Sequence, residues 1–202
     1  TNNNKNLLLL GYPKTKGKGR LIGEYITSSM GLLTGTPCHY KPIYTIVMEM
    51  NANSIEHAYE EEKKHWVFGI NYKEDENKLY FTFTDNGIGI LNQLDIKLTK
   101  IFAQLLKDCN YSKESVLKNL FDKKYNSRFK NQINRNRGLP IIQQKTVNGF
   151  VNNLICVTND VYLNLQTKDS IKLNGEFSGT FYYWELDLDL FKKNGRNFNK
   201  SN

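Results

Sequence analysis

The chain has 202 residues, 39% of them hydrophobic and 24% charged, which suits one well-packed domain with a modest extension and excludes wholesale disorder. Its 28 Lys and Arg against 20 Asp and Glu give a formal charge of +8, favouring anionic partners: nucleotide, nucleic acid or an acidic protein face. No apolar run is long enough to span a bilayer, so no membrane segment is expected. The three cysteines, Cys38, Cys109 and Cys156, lack the C-x-x-C spacing of zinc or redox chemistry, which points to a reducing, cytoplasmic setting. Because the chain begins at Thr1, a processed product or a piece of a larger protein is expected.

Thr1 to Asn6 are polar and expected to fray, Leu7 to Leu10 is too short for a signal segment, and Gly17-Lys18-Gly19-Arg20 reads as a flexible basic link. Leu21, Ile22, Tyr25, Ile26, Met30 and Leu33 recur at helical intervals, predicting a helix over 20–33 that ends at Gly35-Thr36-Pro37. A second helix is predicted over 42–59 and a strand over 66–72. After a polar turn, Leu79, Phe81 and Phe83 alternate with Tyr80, Thr82 and Thr84, predicting a strand over 79–84. From Leu91 to Arg137 charged segments with helical periodicity around 101–106 and 116–121 read as a long insertion between two pieces of core. Gly138-Leu139-Pro140 then opens a helix to about Val147, with Pro140 in the first turn where its missing N–H costs little. Four strands are predicted over 150–157, 161–165, 170–173 and 180–186, followed by a basic tail. The expected class is α/β: a two-layer sandwich, its sheet mixed but mainly antiparallel, with helices on one face. The expected organisation is an extension with one helix over 1–40, a main domain over 41–190 and the tail over 191–202.

The strand over 79–84 runs into Asp85-Asn86-Gly87-Ile88-Gly89. A buried carboxylate there can read the exocyclic amino group of adenine, because a base lacking that donor leaves the carboxylate unpaired. Gly87 and Gly89 let the backbone pass close beneath a flat ring or a phosphate. The same residues also fit an ordinary Asp-Asn-Gly hairpin turn. On the second helix Glu49 and Asn53 stand four residues apart and so share a face, with His57 one turn further on. Asn53 offers a neutral oxygen to Mg²⁺, which keeps several waters and takes few protein ligands beside nucleotide phosphates. Glu49 offers a carboxylate that can orient and deprotonate water. A solvated helix face carries the same pattern. His65 reads as an ordinary strand-start residue, and Phe181 to Trp184 as sheet core with one wet face.

Taken in order, these motifs resemble the GHKL superfamily of ATPases, which includes gyrase, MutL, Hsp-type chaperones and histidine kinases and shares the Bergerat-type sandwich. Glu49-x-x-x-Asn53 resembles the N box, which implies Asn53 as Mg²⁺ ligand and Glu49 as general base. Asp85-x-Gly87-x-Gly89 resembles the first glycine box, whose aspartate binds adenine. Arg137-Gly138-Leu139-Pro140 occupies the place of the second glycine box. Phe177-Ser178-Gly179-Thr180 resembles the late Gly-Thr element, which implies that Thr180 reaches the adenine edge through water. The second box departs from the pattern, since 134–138 holds one glycine where two or more usually wrap the phosphates; Arg135 and Arg137 would then supply charge in place of backbone donors. The stretch 91–137 takes the place of the ATP lid, which closes over nucleotide.

The resemblance spans roughly 43–186 and implies binding of ATP and ADP with Mg²⁺, slow hydrolysis, and a conformational switch read by a protein partner through the lid. Hydrolysis is expected to be slow because gyrase-like and MutL-like relatives add a second domain that delivers a lysine to the γ-phosphate. Two alternatives remain at this stage. Anti-sigma serine kinases resemble the same pattern, with a glutamate and a histidine at the positions of Glu49 and His57. The thin second glycine box and the +8 charge fit a non-catalytic nucleic-acid or protein-binding module.

Overall fold

A computed structural model describes residues 5–11, 19–56, 65–124 and 138–198 of the chain. These form β1 (Lys5–Gly11), α1 (Gly19–Thr34), α2 (Lys41–Glu56), β2 (Trp66–Lys73), β3 (Lys78–Asp85), α3 (Ile90–Asp108), α4 (Lys113–Asp122), α5 (Gly138–Val147), β4 (Asn152–Asn164), β5 (Ser170–Asp187) and α6 (Leu188–Phe198). The five strands make one sheet in the order β1-β2-β3-β5-β4. Every pairing among them is antiparallel, where a mixed sheet was expected. The class is α/β, a two-layer sandwich. Among the described residues no helix is long and apolar enough to cross a membrane.

Strand alternation sets the two faces of the sheet. Phe68 and Ile70 on β2, Leu79, Phe81 and Phe83 on β3, and Tyr182, Trp184 and Leu186 on β5 are all buried on one face. Trp184 stacks on Phe68 and Phe81, with ring centroids 6.2 and 5.4 Å away. Onto this face α1 presents Ile22, Ile26, Met30 and Leu33, one helical turn apart, and α2 presents Ile43, Ile46, Val47 and Met50. Each such side chain, fully buried, stabilises the fold by about 1.5–3 kcal/mol.

Three stretches differ from expectation. Lys5 and Asn6, expected to fray, begin an edge strand: β1 pairs with β2 over its whole length and directs Leu9 into the core. The four strands expected over 150–186 are two long ones, β4 and β5. Register shifts on either side of Asn159 break the alternation of β4 with a bulge, so one strand reads as two. Much of the expected basic tail is α6. Asp187 accepts from the backbone N–H of Leu190 at 2.7 Å, closing the first turn. Asn194 on the same helix is buried and donates to Tyr40 Oη at 3.2 Å and to the Gly149 carbonyl at 2.9 Å.

Over its described part the long insertion is two helices whose inner faces join the common core. Leu91, Leu94, Ile101, Phe102 and Leu105 of α3 are buried, as are Val116, Leu117, Leu120 and Phe121 of α4. Ser112 caps α4 by accepting from Ser115 N at 3.1 Å, and Lys123 in the left-handed region ends it. Ion pairs Lys113–Asp160 and Lys168–Asp122 tie α4 to β4 and to the β4–β5 turn.

Candidate functional site

An open cleft of about 510 Å³ lies where α2, the β3–α3 loop, α5 and β5 meet. One register row crosses the sheet at its edge: Trp66 on β2, Asp85 on β3, Thr180 on β5 and Thr158 on β4 stand opposite one another in turn. Asp85 ends β3, and the chain does not turn back into a hairpin but enters α3, which removes the hairpin-turn alternative.

The Asp85 carboxylate is fixed by donors from three elements. Gly87 N donates to Oδ1 at 2.9 Å, Thr180 N donates to the same oxygen at 3.2 Å, and Ser54 Oγ donates to Oδ2 at 3.1 Å. The Gly87 bond is a local Asx turn. With both oxygens anchored and Asp85 lining the cleft, its remaining lone pairs can accept from a ligand donor only in a narrow set of directions. Behind it, Tyr182 and Cys156 share a hydrogen bond. Burial pushes the Tyr182 phenol and the Cys156 thiol well up, and the charge of Asp85 adds to both shifts. The wall beside the carboxylate is therefore neutral.

Two glycines make room at this corner. Gly179, with φ +109, packs so tightly on Asp85 that a Cβ would overlap the carbonyl oxygen of Asp85. Gly89, with φ +83, lies against the Asn159 amide, which a Cβ would meet at 2.5 Å. Met50, Ile88 and Leu139 supply apolar lining, as a flat ring requires.

At the other end of the cleft α5 begins at Gly138. A Cβ there would meet Glu49 Oε2 at 3.0 Å and the Asn53 Nδ2 and Oδ1 atoms at 3.0 and 3.1 Å. Glu49 and Asn53 thus converge on the start of α5, half-buried, and do not form a solvated helix face. The Nδ2 of Asn53 is buried with no hydrogen-bond partner among the described residues. A buried polar group left in that condition costs about 1–3 kcal/mol unless a ligand or water satisfies it.

No protein-family model and no curated protein matches this chain. The site therefore stands on its geometry. Of the ten residues picked from sequence, Asn53, Asp85, Gly87, Gly89, Leu139 and Thr180 line one cleft, and Glu49 and Gly138 abut Asn53. His57 and Arg137 lie outside the described residues. The sequence reading missed Ser54, Tyr182, Thr158 and Asn159. Two of these carried a signal: Ser54 directly follows Asn53, and Tyr182 follows Thr180 by two on a strand and so shares its face. Thr158 and Asn159 interrupt an apolar alternation, which marks a bulge but not the element it touches.

Proposed function

We propose that the cleft binds ATP or ADP with Mg²⁺, and that the chain is an ATP-binding domain of the GHKL kind whose slow hydrolysis acts as a switch for a protein partner in the cytoplasm. One observation carries this reading: four motifs far apart in sequence, Glu49/Asn53, Asp85–Gly89, Gly138–Leu139 and Gly179–Thr180, converge on a single cleft. Their order and chemistry resemble those of the superfamily. Nothing in composition alone would bring them together.

Asp85 would accept the adenine amino group, since its carboxylate is held in place by Gly87, Thr180 and Ser54. Met50, Ile88 and Leu139 would sandwich the base. The backbone N–H groups of Gly138 and Leu139 at the start of α5, with the positive end of its dipole, would face the phosphates. The orphaned Asn53 amide fits a metal-holding role, its oxygen and nitrogen exchanging by a half-turn of the side chain. Among the described residues no group of three or more His, Cys, Asp or Glu could hold a metal by itself, so the phosphates would complete the ligand set. Mg²⁺ would supply charge neutralisation of the phosphates. Glu49, beside Asn53, would take the proton from the attacking water.

Calorimetric titration of ATP with Mg²⁺ into the chain tests the reading. Asp85→Asn replaces one acceptor oxygen by an NH₂ donor facing groups that themselves donate and is expected to abolish binding, while Glu49→Ala keeps binding and loses phosphate release. Full affinity in the Asp85 variant would sink the proposal.

A further inference from the structure

The helix that leaves the glycine loop is not capped by its own residues. Gly89 at the N-cap of α3 has no side chain to accept from the first turn, so those N–H groups need partners from elsewhere. They find them on the bulge of β4, 68 residues further along the chain. Thr158 Oγ1 accepts from Ile90 N at 2.9 Å, and Asn159 Oδ1 accepts from Leu91 N at 3.0 Å and Asn92 N at 3.4 Å. On the other side of Gly89, Asn159 Nδ2 donates to the Ile88 carbonyl at 2.8 Å. One amide thus staples the glycine loop and the start of α3 together across Gly89. Asn159 is 1% exposed and holds φ +53, a conformation Asn tolerates better than other side chains.

The staple reaches the base pocket by two short routes. Through Ile88 it fixes the loop whose Gly87 N–H holds Asp85 Oδ1. Through Thr158, whose hydroxyl lies 3.2 Å from the Gly179 carbonyl and 3.4 Å from Thr180 Oγ1, it reaches the strand whose Thr180 N–H holds the same oxygen. From these contacts we infer that Asn159 is a positioning residue for base recognition: it sets the aim of Asp85 by clamping the glycine loop to α3. The inference rests on the nucleotide reading of the cleft. It also means that occupancy of the base pocket is felt at the first turn of α3, at amides that belong to no predicted contact with the nucleotide.

The discriminating variant is Asn159→Asp. It retains an acceptor for Leu91 and Asn92, now with a charge that suits a helix N-terminus, and it tolerates positive φ. It removes the amide donor, which serves the Ile88 carbonyl and, at 3.4 Å, Glu176 Oε1, and sets a carboxylate against both. Calorimetry with the Mg²⁺ salts of ATP and of inosine triphosphate, which carries a carbonyl in place of the amino group, reads the result. The variant is expected to lose about tenfold or more in ATP affinity, the effect of one unsatisfied buried group. Inosine triphosphate binding should change little, so the preference for ATP shrinks. ATP affinity equal to that of the unaltered chain, or an equal loss for both nucleotides, would overturn the assignment and leave Asn159 a structural cap. Should the variant fail to fold, amide exchange on the unaltered chain decides. ATP should slow exchange at Leu91 and Asn92 several-fold, and unchanged rates overturn the inference. Failure of the unaltered chain to bind ATP at all is a different result, which removes the nucleotide reading and this inference with it.

Discussion

Asp85 and Gly179 form the tightest contact of the site. Gly179 is required twice over, by its φ of +109 and by the Asp85 carbonyl that occupies the space of a Cβ. Gly179→Ala therefore has to strain its own backbone and push β3 away from β5. The expected cost is about 3 kcal/mol or more, and urea unfolding measures it; a midpoint unchanged from the parent would mean that the corner is far softer than its packing implies. Gly35 and Gly149, also at positive φ, have open space where a Cβ would stand, so alanine there meets backbone strain alone. At this scale the residues of the candidate cleft were largely legible in the sequence. Asp85, Glu49 and Asn53 are picked out by residue type and spacing, although a hairpin turn and a solvated helix face carry the same patterns, and only their meeting in one place separates the readings. Asn159 is not picked out, because its role is a long-range cap and no local spacing encodes the helix it caps.

Elements were legible where one period ran unbroken. The helices α1 and α5 and the strands β2 and β3 stand close to their predicted spans, since each buries a single regular face. Reading failed where a second effect overrode the period: the bulge that splits β4, the apolar edge strand β1 with its polar start, and α6, whose lysines face outward while Asn194 and Phe191 pack on Tyr40. The ladder between β3, β5 and β4 also carries a charge cluster on the sheet's other face. Glu185 accepts from Tyr183 Oη at 2.7 Å, Lys78 Nζ at 3.0 Å and Asn153 Nδ2 at 3.1 Å. Burial alone would push its carboxyl up, but these donors and the Lys78 charge outweigh burial and hold it below the usual glutamate range. A carboxylate with a folded value below the unfolded one stabilises above about pH 4.5, the ordinary value, and loses that contribution as pH falls through the lower folded value. Glu185→Gln should therefore cost about 1–2 kcal/mol at pH 7, and the gap to the parent should close toward pH 3. Denaturant unfolding at the two pH values checks this, and a gap that is constant with pH would remove the ionised cluster as its cause.

At the scale of the whole molecule, α3 and α4 bear on the lid expected over 91–137. A lid must leave the core without unfolding it, yet nine side chains of α3 and α4 are buried within the same cluster that holds the sheet to α1 and α2. At about 1.5–3 kcal/mol each, their removal costs as much as or more than the 5–15 kcal/mol by which a whole domain is ordinarily stable. Ser112, the Lys113–Asp160 pair and the trans cap on α3 fasten the two helices further. The part spanning α3 and α4 thus belongs to the scaffold. Replacing 92–122 by a short Gly-Ser linker separates a scaffold from a lid. The shortened chain is expected to lose its cooperative thermal transition and, with it, any nucleotide binding. A well-folded product with an intact cleft and faster nucleotide release would instead make both helices a true lid, since only a dispensable cover can be cut away without taking the core along.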